Sequence, residues 1–453
     1  MARALVRLLP IEMAVLGLFE FVLSFALIFA MLNASGPALL LDSTDLPRDC
    51  LILAAMLAVT IAGTAATIGL YRPEVCLDRR RFLLSGTIAA LLAFPAILIV
   101  SGAYSMALSG AHIAWLAGLL AIWLPFVLLV RFGFSAFAAH VPVARRVLVL
   151  GEGSRAAGLR RRLSTRRHVL FQPVAECVAG GGTADLSPGT LRQTRIWGIV
   201  IAGDAIAAAR REALLDNKLR GVPIYSDLSF QEQHLGRIEL DAIDSQWLLF
   251  ADGFQNGWLS DAIKRVFDVA VGAALVVVTL PLMAVTALLV KLDSPGPIFY
   301  RQVRTGLHGV TFTLYKFRSM ATDAEVAGKA QWAQKKDPRV TRAGAFMRAS
   351  RIDELPQLIN VLRGEMSMIG PRPERPEFVA DLAKAIPFYD RRAYVKPGLT
   401  GWAQVNYPYG ASVDDAREKL AYDLYYVKNR GVLLDLLILV STVRVILFRE
   451  GAR

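Results

Sequence analysis

Two carboxylates stand side by side at Asp353-Glu354, and further on one arginine is held between two prolines in Gly370-Pro371-Arg372-Pro373. Between them, Leu355, Leu358, Ile359 and Leu362 fall at i, i+3, i+4 and i+7, one face of a helix. Pro356 suits the first turn, where its missing N–H costs little, and Gly364 is placed to stop the helix. This pattern puts the two carboxylates at the positive end of a helix, where backbone N–H groups point outward and phosphate is attracted. Carboxylates, free amides and arginines around one point read as phosphoryl chemistry, with a divalent metal to offset the charge repulsion. An Asp-Glu pair ahead of a helix is more often a simple cap. The decision therefore rests on the rest of the chain.

The 453 residues are 55% hydrophobic, and the mean hydropathy is +0.44. Such a chain is too apolar for an ordinary soluble protein and implies membrane segments. The net charge is +13, from 51 Lys and Arg against 38 Asp and Glu. A basic balance suits nucleic acid, anionic lipid or phosphorylated substrates, and the apolar segments favour lipid; no nucleic-acid partner is expected. Three cysteines, Cys50, Cys76 and Cys177, include no close pair, so neither a disulfide framework nor a zinc site is read. No cleavable signal is read either, because the first apolar segment is long and lacks a small-residue cleavage site.

Four apolar segments, residues 11–31, 51–70, 82–100 and 113–130, each have about the length of a membrane span. Arg3 and Arg7 precede the first. Asp42, Asp45, Arg48 and Asp49 follow it. Arg72, Arg79, Arg80 and Arg81 follow the second, and Arg131, Arg145 and Arg146 follow the fourth. The positive-inside rule puts both ends of this bundle in the cytoplasm. Glu20 is the one ionisable residue near a helix centre; a transport role competes with a carboxylate protonated or hydrogen-bonded inside the bundle.

Residues 144–252 read as a small doubly wound α/β domain. The strand of residues 145–150 runs into Gly151-Glu152-Gly153-Ser154, and further strands are expected at 197–202 and 222–225. The glycine pattern is looser than a dinucleotide fingerprint, and no acidic residue follows at the expected distance. A scaffold or oligomerisation domain without a ligand is the expectation. A fifth apolar segment, residues 266–290, lies between Lys264-Arg265 and Lys291 and contains Pro281. Its basic flanks and proline argue for a helix-break-helix that dips into one leaflet and returns, with Thr279 satisfying the carbonyl that Pro281 frees. Arg301, Arg304, Lys316, Arg318, Lys335, Lys336, Arg339, Arg342, Arg348 and Arg351 then precede the carboxylate pair. Most of these read as solvated or facing lipid headgroups. Residues 433–448, with Asp435 and Arg444, suit an interfacial or packed helix.

The stretch from about Lys264 onward resembles the bacterial sugar transferases that are monotopic phosphoglycosyl transferases acting on polyprenyl phosphate. The resemblance rests on ordered blocks: Gly296-Pro297-Ile298-Phe299-Tyr300-Arg301-Gln302, Tyr315-Lys316-Phe317-Arg318-Ser319-Met320, Asp337-Pro338-Arg339-Val340-Thr341, Asp353-Glu354-Leu355-Pro356-Gln357-Leu358, Gly370-Pro371-Arg372-Pro373 and Lys396-Pro397-Gly398-Leu399-Thr400-Gly401-Trp402. It covers somewhat over a third of the chain. It implies three parts: a membrane α-helical bundle over residues 1–143, a Rossmann-like domain over 144–252, and a compact α/β catalytic core over 253–453 with a re-entrant membrane helix at 266–290.

The resemblance also implies transfer of a hexose-1-phosphate from a UDP-sugar to undecaprenyl phosphate, with UMP leaving and Asp353 as nucleophile. Mg²⁺ is expected on Asp353 and Glu354, with Glu354 assisting metal placement or taking the acceptor's proton. Lys316, Arg348 and above all Arg372, whose backbone the prolines restrain, are assigned to the diphosphate. Pairing with local carboxylates is the alternative for Lys316 and Arg348. The expected setting is the cytoplasmic face of a bacterial inner membrane, in exopolysaccharide or O-antigen synthesis, with a homodimer through the Rossmann-like domain. Two other functions compete. A nucleotide-sugar dehydratase of the short-chain dehydrogenase kind needs Tyr-x-x-x-Lys, and none of the 12 tyrosines has a lysine four residues on. A non-catalytic scaffold of a polysaccharide assembly complex has no need of the carboxylate pair or of Arg372.

Overall fold

The structure is a computed structural model that describes residues 11–34, 46–71, 73–76, 79–105, 109–140, 144–164, 170–174, 186–203, 208–254, 257–320, 339–408, 410 and 412–447. Arg3, Arg7, Asp42, Asp45, Arg72, Cys177 and residues 335–338, which enter the readings above, lie outside the described residues. The chain divides into two compact units, one running to Phe230 and the other from Gln231 to Arg453.

In the first unit, helices α1 (Ile11–Ala34), α2 (Leu46–Ile68), α3 (Arg79–Ser105) and α4 (Gly110–His140) are apolar almost all round. Each is long and apolar enough to cross a membrane. Their shared core includes Ile28, Leu57, Ile61, Ala93, Leu116 and Trp123, while Leu18, Leu91, Ile99 and Leu129 point outward as lipid-facing residues would. Glu20 is hydrogen-bonded inside the bundle: its Oε2 accepts from Arg131 Nη2 at 2.7 Å, and both side chains are buried. The helix that contains Arg131 continues to His140, so this arginine lies within the helix and faces its carboxylate partner.

After the helices comes a four-stranded parallel sheet in the order β2-β1-β3-β4, from β1 (Arg145–Leu150), β2 (Phe171–Val174), β3 (Ile196–Ile201) and β4 (Ile224–Ser226), with helices α5 (Ser154–Leu163), α6 (Pro188–Gln193) and α7 (Ala208–Leu219) between successive strands. The near-continuous apolar runs of β1 and β3 suit a sheet covered on both faces. Strand β2 is short and contains Pro173, which hid it from sequence reading. Gly151 has φ 128°, and a Cβ there would overlap the carbonyl oxygen of Ala202. This glycine is needed for close approach of the strand ends. Arg160 Nη2 donates to the carbonyls of Val149 (2.8 Å) and Gly151 (3.3 Å) beside the same turn.

The second unit is built around α8 (Trp258–Asp293), the antiparallel pair β5 (Phe299–Thr305) and β6 (Thr311–Phe317), α9 (Arg342–Ser350), α10 (Gln357–Arg363), and the parallel pair β7 (Ser367–Ile369) and β8 (Gly398–Thr400). Helices α11 (Pro376–Ala385), α12 (Trp402–Asn406), α13 (Val413–Asn429) and α14 (Val432–Leu447) complete it. Helix α8 is the fifth one long and apolar enough to cross a membrane. It runs through Pro281 as a single helix, so the expected break is a missing backbone hydrogen bond and not a gap. Thr279 Oγ1 donates to the carbonyl of Leu275 at 2.6 Å, not to the one that Pro281 frees.

Both arms of α8 pack on the same core. Gly272 lies against Val361 and Leu362, and Arg265 donates to both of those carbonyls at 2.7 Å. At the other end, Val290 packs with Phe317 and Met347, joined by Met283 and Ala287. Between these anchors Val277, Val278 and Leu280 are exposed. Arg318 is buried and closes the end of α8, donating to the carbonyls of Val290, Ser294 and Pro295. A cation suits the exposed carbonyls of a helix C-terminus. Helix α14 is packed, with Asp435 and Ile438 buried.

Candidate active site

Helix α9 begins at Thr341, whose side chain caps it by accepting from Gly344 N at 3.0 Å. Gly344 sits so close to Ser319 that a Cβ would overlap the Ser319 carbonyl, which fixes α9 on the end of β6. The helix stops at Arg351, a left-handed residue (φ 60°, ψ 14°) whose N–H bonds Met347 O. A one-turn 3-10 helix, Ile352–Glu354, follows and carries the carboxylates. Helix α10 begins only at Gln357, with Pro356 at its N-cap, and Gly364 ends it at φ 84°. Asp353 and Glu354 therefore stand in their own turn ahead of α10, and they are not placed by the start of that helix. The apolar face is also rotated from expectation. Leu358 and Val361 are fully buried with Asn360, while Ile359 is exposed.

Asn360 was not singled out from the sequence, yet it sets the register of the site. Its Nδ2 donates to Thr313 O (2.7 Å) and to Glu365 Oε2 (2.7 Å), and its Oδ1 accepts from Tyr315 N (3.2 Å). A fully buried amide on the apolar face of a helix needs such partners. The available signal was an asparagine between two core positions. By locking α10 to β6, it places Lys316 over Glu354.

Glu354 is 7% exposed, and its Oε1 accepts from Arg372 Nη2 at 2.6 Å and from Lys316 Nζ at 2.8 Å. Arg351 Nη1 lies 3.8 Å from the same oxygen. Burial alone would raise the Glu354 carboxyl, but Arg372, Lys316 and Arg351 outweigh it and hold the group well below the usual carboxylate range. Burial pushes the Lys316 ammonium below its usual value, against the pull of Glu354. Asp353 is also 7% exposed, and its Oδ1 is buried with no hydrogen-bond partner among the described residues. Burial pushes Asp353 up; Lys316 opposes this and Glu354 reinforces it.

The turn that carries Arg372 is stitched from behind. Gly370 N donates to Thr400 O and Gly398 N to Pro371 O, both at 2.9 Å. A side chain on Gly370 would overlap the carbonyl of Lys396. Strand β8 thus backs the Arg372 turn. Arg392 Nη2 donates to Arg372 O (3.1 Å) and to Asp423 Oδ2 (2.7 Å), and Arg304 Nη1 donates to Pro373 O (3.1 Å). A pocket beside this turn is lined by Thr305, Gly306, Arg372, Glu374, Tyr389 and Arg392.

The structure thus gathers Asp353, Glu354, Lys316 and Arg372. Arg348 is half-buried in the last turn of α9, and no hydrogen bond or ion pair among the described residues joins it to the carboxylates. Pro281 lies within α8, and no contact joins it to this cluster among the described residues. Among the described residues no group of three His, Cys, Asp or Glu side chains could hold a metal. Mg²⁺ ordinarily takes one or two carboxylates plus substrate phosphates, and the unpartnered Asp353 Oδ1 fits that donor set.

Residues 259–449 match the family described as bacterial sugar transferase. The chain is 42% identical over 250 residues to a UDP-N-acetylgalactosamine-undecaprenyl-phosphate N-acetylgalactosaminephosphotransferase of Aeromonas hydrophila, covering 55% of this chain and 58% of that protein. It is 33% identical over 344 residues to an undecaprenyl-phosphate glucose phosphotransferase of Komagataeibacter xylinus, covering 72% and 64%. It is 56% identical over 131 residues to a putative undecaprenyl-phosphate N-acetylgalactosaminyl 1-phosphate transferase of Bacillus subtilis (strain 168), covering 29% and 73%. The chain spans less than two thirds of the first two relatives. It belongs to the bacterial sugar transferase family, and its apolar helices make it a membrane protein.

Proposed function

We propose that the protein transfers a hexose-1-phosphate from a UDP-sugar to undecaprenyl phosphate through an aspartyl-phosphosugar intermediate. The observation that carries this reading is the division of labour in the carboxylate pair: two cations hold one oxygen of Glu354, while Asp353 keeps a buried oxygen without a partner. The Asp353 carboxylate attacks the phosphorus that bears the sugar. The bond from that phosphorus to the bridging oxygen breaks, and UMP leaves with the electron pair. A phosphate oxygen of the lipid then attacks the same phosphorus, the aspartyl bond breaks, and the carboxylate is restored. Two displacements avoid holding two large anions at once.

Glu354 keeps Lys316 and Arg372 at the reacting phosphate. A carboxylate held well below its usual range is a poor proton acceptor, which favours this placing role over proton transfer from the acceptor. Asp353 and Glu354 are the residues that would hold Mg²⁺, which when bound offsets charge on the diphosphate. The anchoring of both arms of α8 to one core, with an exposed apolar middle around Pro281, supports a re-entrant helix that dips into one leaflet. That placement fits catalysis at the cytoplasmic face of a bacterial inner membrane, in the first membrane step of exopolysaccharide or O-antigen synthesis. The parallel sheet of the first unit supports a Rossmann-like scaffold, through which a homodimer would form.

The test is UMP release from a panel of UDP-sugars in detergent with undecaprenyl phosphate and Mg²⁺. Release with one or more sugars, lost in Asp353→Asn, is expected; no release with any UDP-sugar would reject the proposal.

A further inference from the structure

Three cations surround Glu354, but they are not equivalent. Lys316 and Arg372 hydrogen-bond Oε1 at 2.8 and 2.6 Å. Arg351 stands at 3.8 Å, beyond hydrogen-bonding distance, and its side chain is 36% exposed against 19% for Lys316 and 29% for Arg372. No hydrogen bond among the described residues engages its guanidinium. The charge count points the same way: Lys316, Arg351 and Arg372 face Asp353 and Glu354, so the cluster holds one positive charge more than its carboxylates need.

The backbone adds an independent observation. Arg351 is left-handed at φ 60°, a conformation that glycine or asparagine adopts at lower cost. The C-cap bond it makes, N–H to Met347 O, uses no side-chain atom. A long charged side chain is thus kept where the backbone favours a small one, a single residue removed from Asp353. Strain of this kind gathers at sites of function.

We infer that Arg351 contacts the diphosphate of the incoming nucleotide sugar, adding its charge to that of Lys316 and Arg372, which Glu354 holds in place. The inference rests on the transferase reading above. A planar guanidinium with several N–H donors suits a diphosphate, and the exposed side of Arg351 is where a soluble substrate would arrive.

Two variants separate charge from backbone. Arg351→Asn removes the charge and tolerates the left-handed conformation; Arg351→Lys keeps the charge. In detergent, Arg351→Asn should raise KM for the UDP-sugar about tenfold, with a smaller change in kcat and no change in KM for undecaprenyl phosphate. Its Tm should be no lower than wild type, and Arg351→Lys should recover part of the loss. Calorimetric titration with the UDP-sugar in an Asp353→Asn background, which cannot form the adduct, decides the inference without turnover: a Kd weakened to the same extent on adding Arg351→Asn supports it. Wild-type KM and Kd in Arg351→Asn would overturn it, as would a loss that follows a fall in Tm and is not recovered by lysine. Wild-type protein that binds UDP-sugar but releases no UMP would sink the transferase reading alone.

Discussion

Two buried charge clusters flank Arg372, and they are built on opposite plans. Behind the turn, Asp423 accepts twice from Arg392 (Nε at 3.1 Å, Nη2 at 2.7 Å), and Arg392 also donates to Tyr389 Oη at 2.9 Å and to Arg372 O at 3.1 Å. No side-chain atom of Asp423 or Arg392 is left buried and unpartnered among the described residues. In front of the turn, two cations converge on one oxygen of Glu354, a third stands apart, and Asp353 Oδ1 has no partner. A closed cluster is what a fold needs, since a buried charge without partners is costly. A cluster with an acceptor and a cation in reserve fits a site that completes itself with an anionic ligand. Arg372 joins the two: its backbone is held by the first and its side chain works in the second.

The contrast is broken most severely by opening the closed cluster. Arg392→Met leaves Asp423 charged, buried and alone, which should destabilise the second unit by about 3–5 kcal/mol. Thermal unfolding in detergent measures this; an unchanged Tm would mean that the pair is not structural. Next in size is Arg372→Lys. The arginine reaches Glu354 while its backbone is fixed, and a lysine cannot reproduce a planar fork, so kcat/KM for the UDP-sugar should fall about 100-fold with Tm within a few degrees of wild type. Activity within threefold of wild type would place Arg372 outside the reacting site.

The smallest effect sharpens the comparison within the open cluster. Asp353 is raised by burial, so its protonated form favours the fold: that contribution is present below the unfolded value of about 3.9 and is lost as pH rises through the folded one. Asp353→Asn should therefore be slightly more stable than wild type at neutral pH, with the gain vanishing in acid. Glu354 is lowered by its cations in spite of burial, so its contribution is present above the unfolded value of about 4.3 and is lost as pH falls through the folded one. Glu354→Gln should lose stability at neutral pH and lose less in acid. Tm against pH for the two variants should diverge with opposite signs, and parallel curves would show that the carboxylates share one environment.

Much of this was legible in the residues. Four long apolar runs with alternating charged connections gave the helices of the first unit, and Gly364 ended α10 as its type requires. Lys316 and Arg372 entered through family-like blocks far from Asp353 in sequence, and the fold brings both to Glu354. What the residues could not show was tertiary. Spacing alone placed the carboxylates at a helix start, whereas the left-handed Arg351 and Pro356 set them in a separate turn. Asn360 looked like an intrusion in an apolar face until its three partners on β6 and at Glu365 were in place. Arg318 and Arg304 read as members of a basic run, yet both donate to backbone carbonyls that hold the core together. Long side chains find partners across the fold, and linear spacing carries no trace of them.

The central claim is that Asp353 carries the sugar phosphate between donor and acceptor. Incubating the protein with its UDP-sugar and no lipid acceptor, then mapping the peptides by mass spectrometry, tests it most directly. A hexose-phosphate adduct on Asp353, formed with stoichiometric UMP and discharged by undecaprenyl phosphate, is the expected result. An adduct on any other residue, or UMP release only when donor and acceptor are present together, would contradict it.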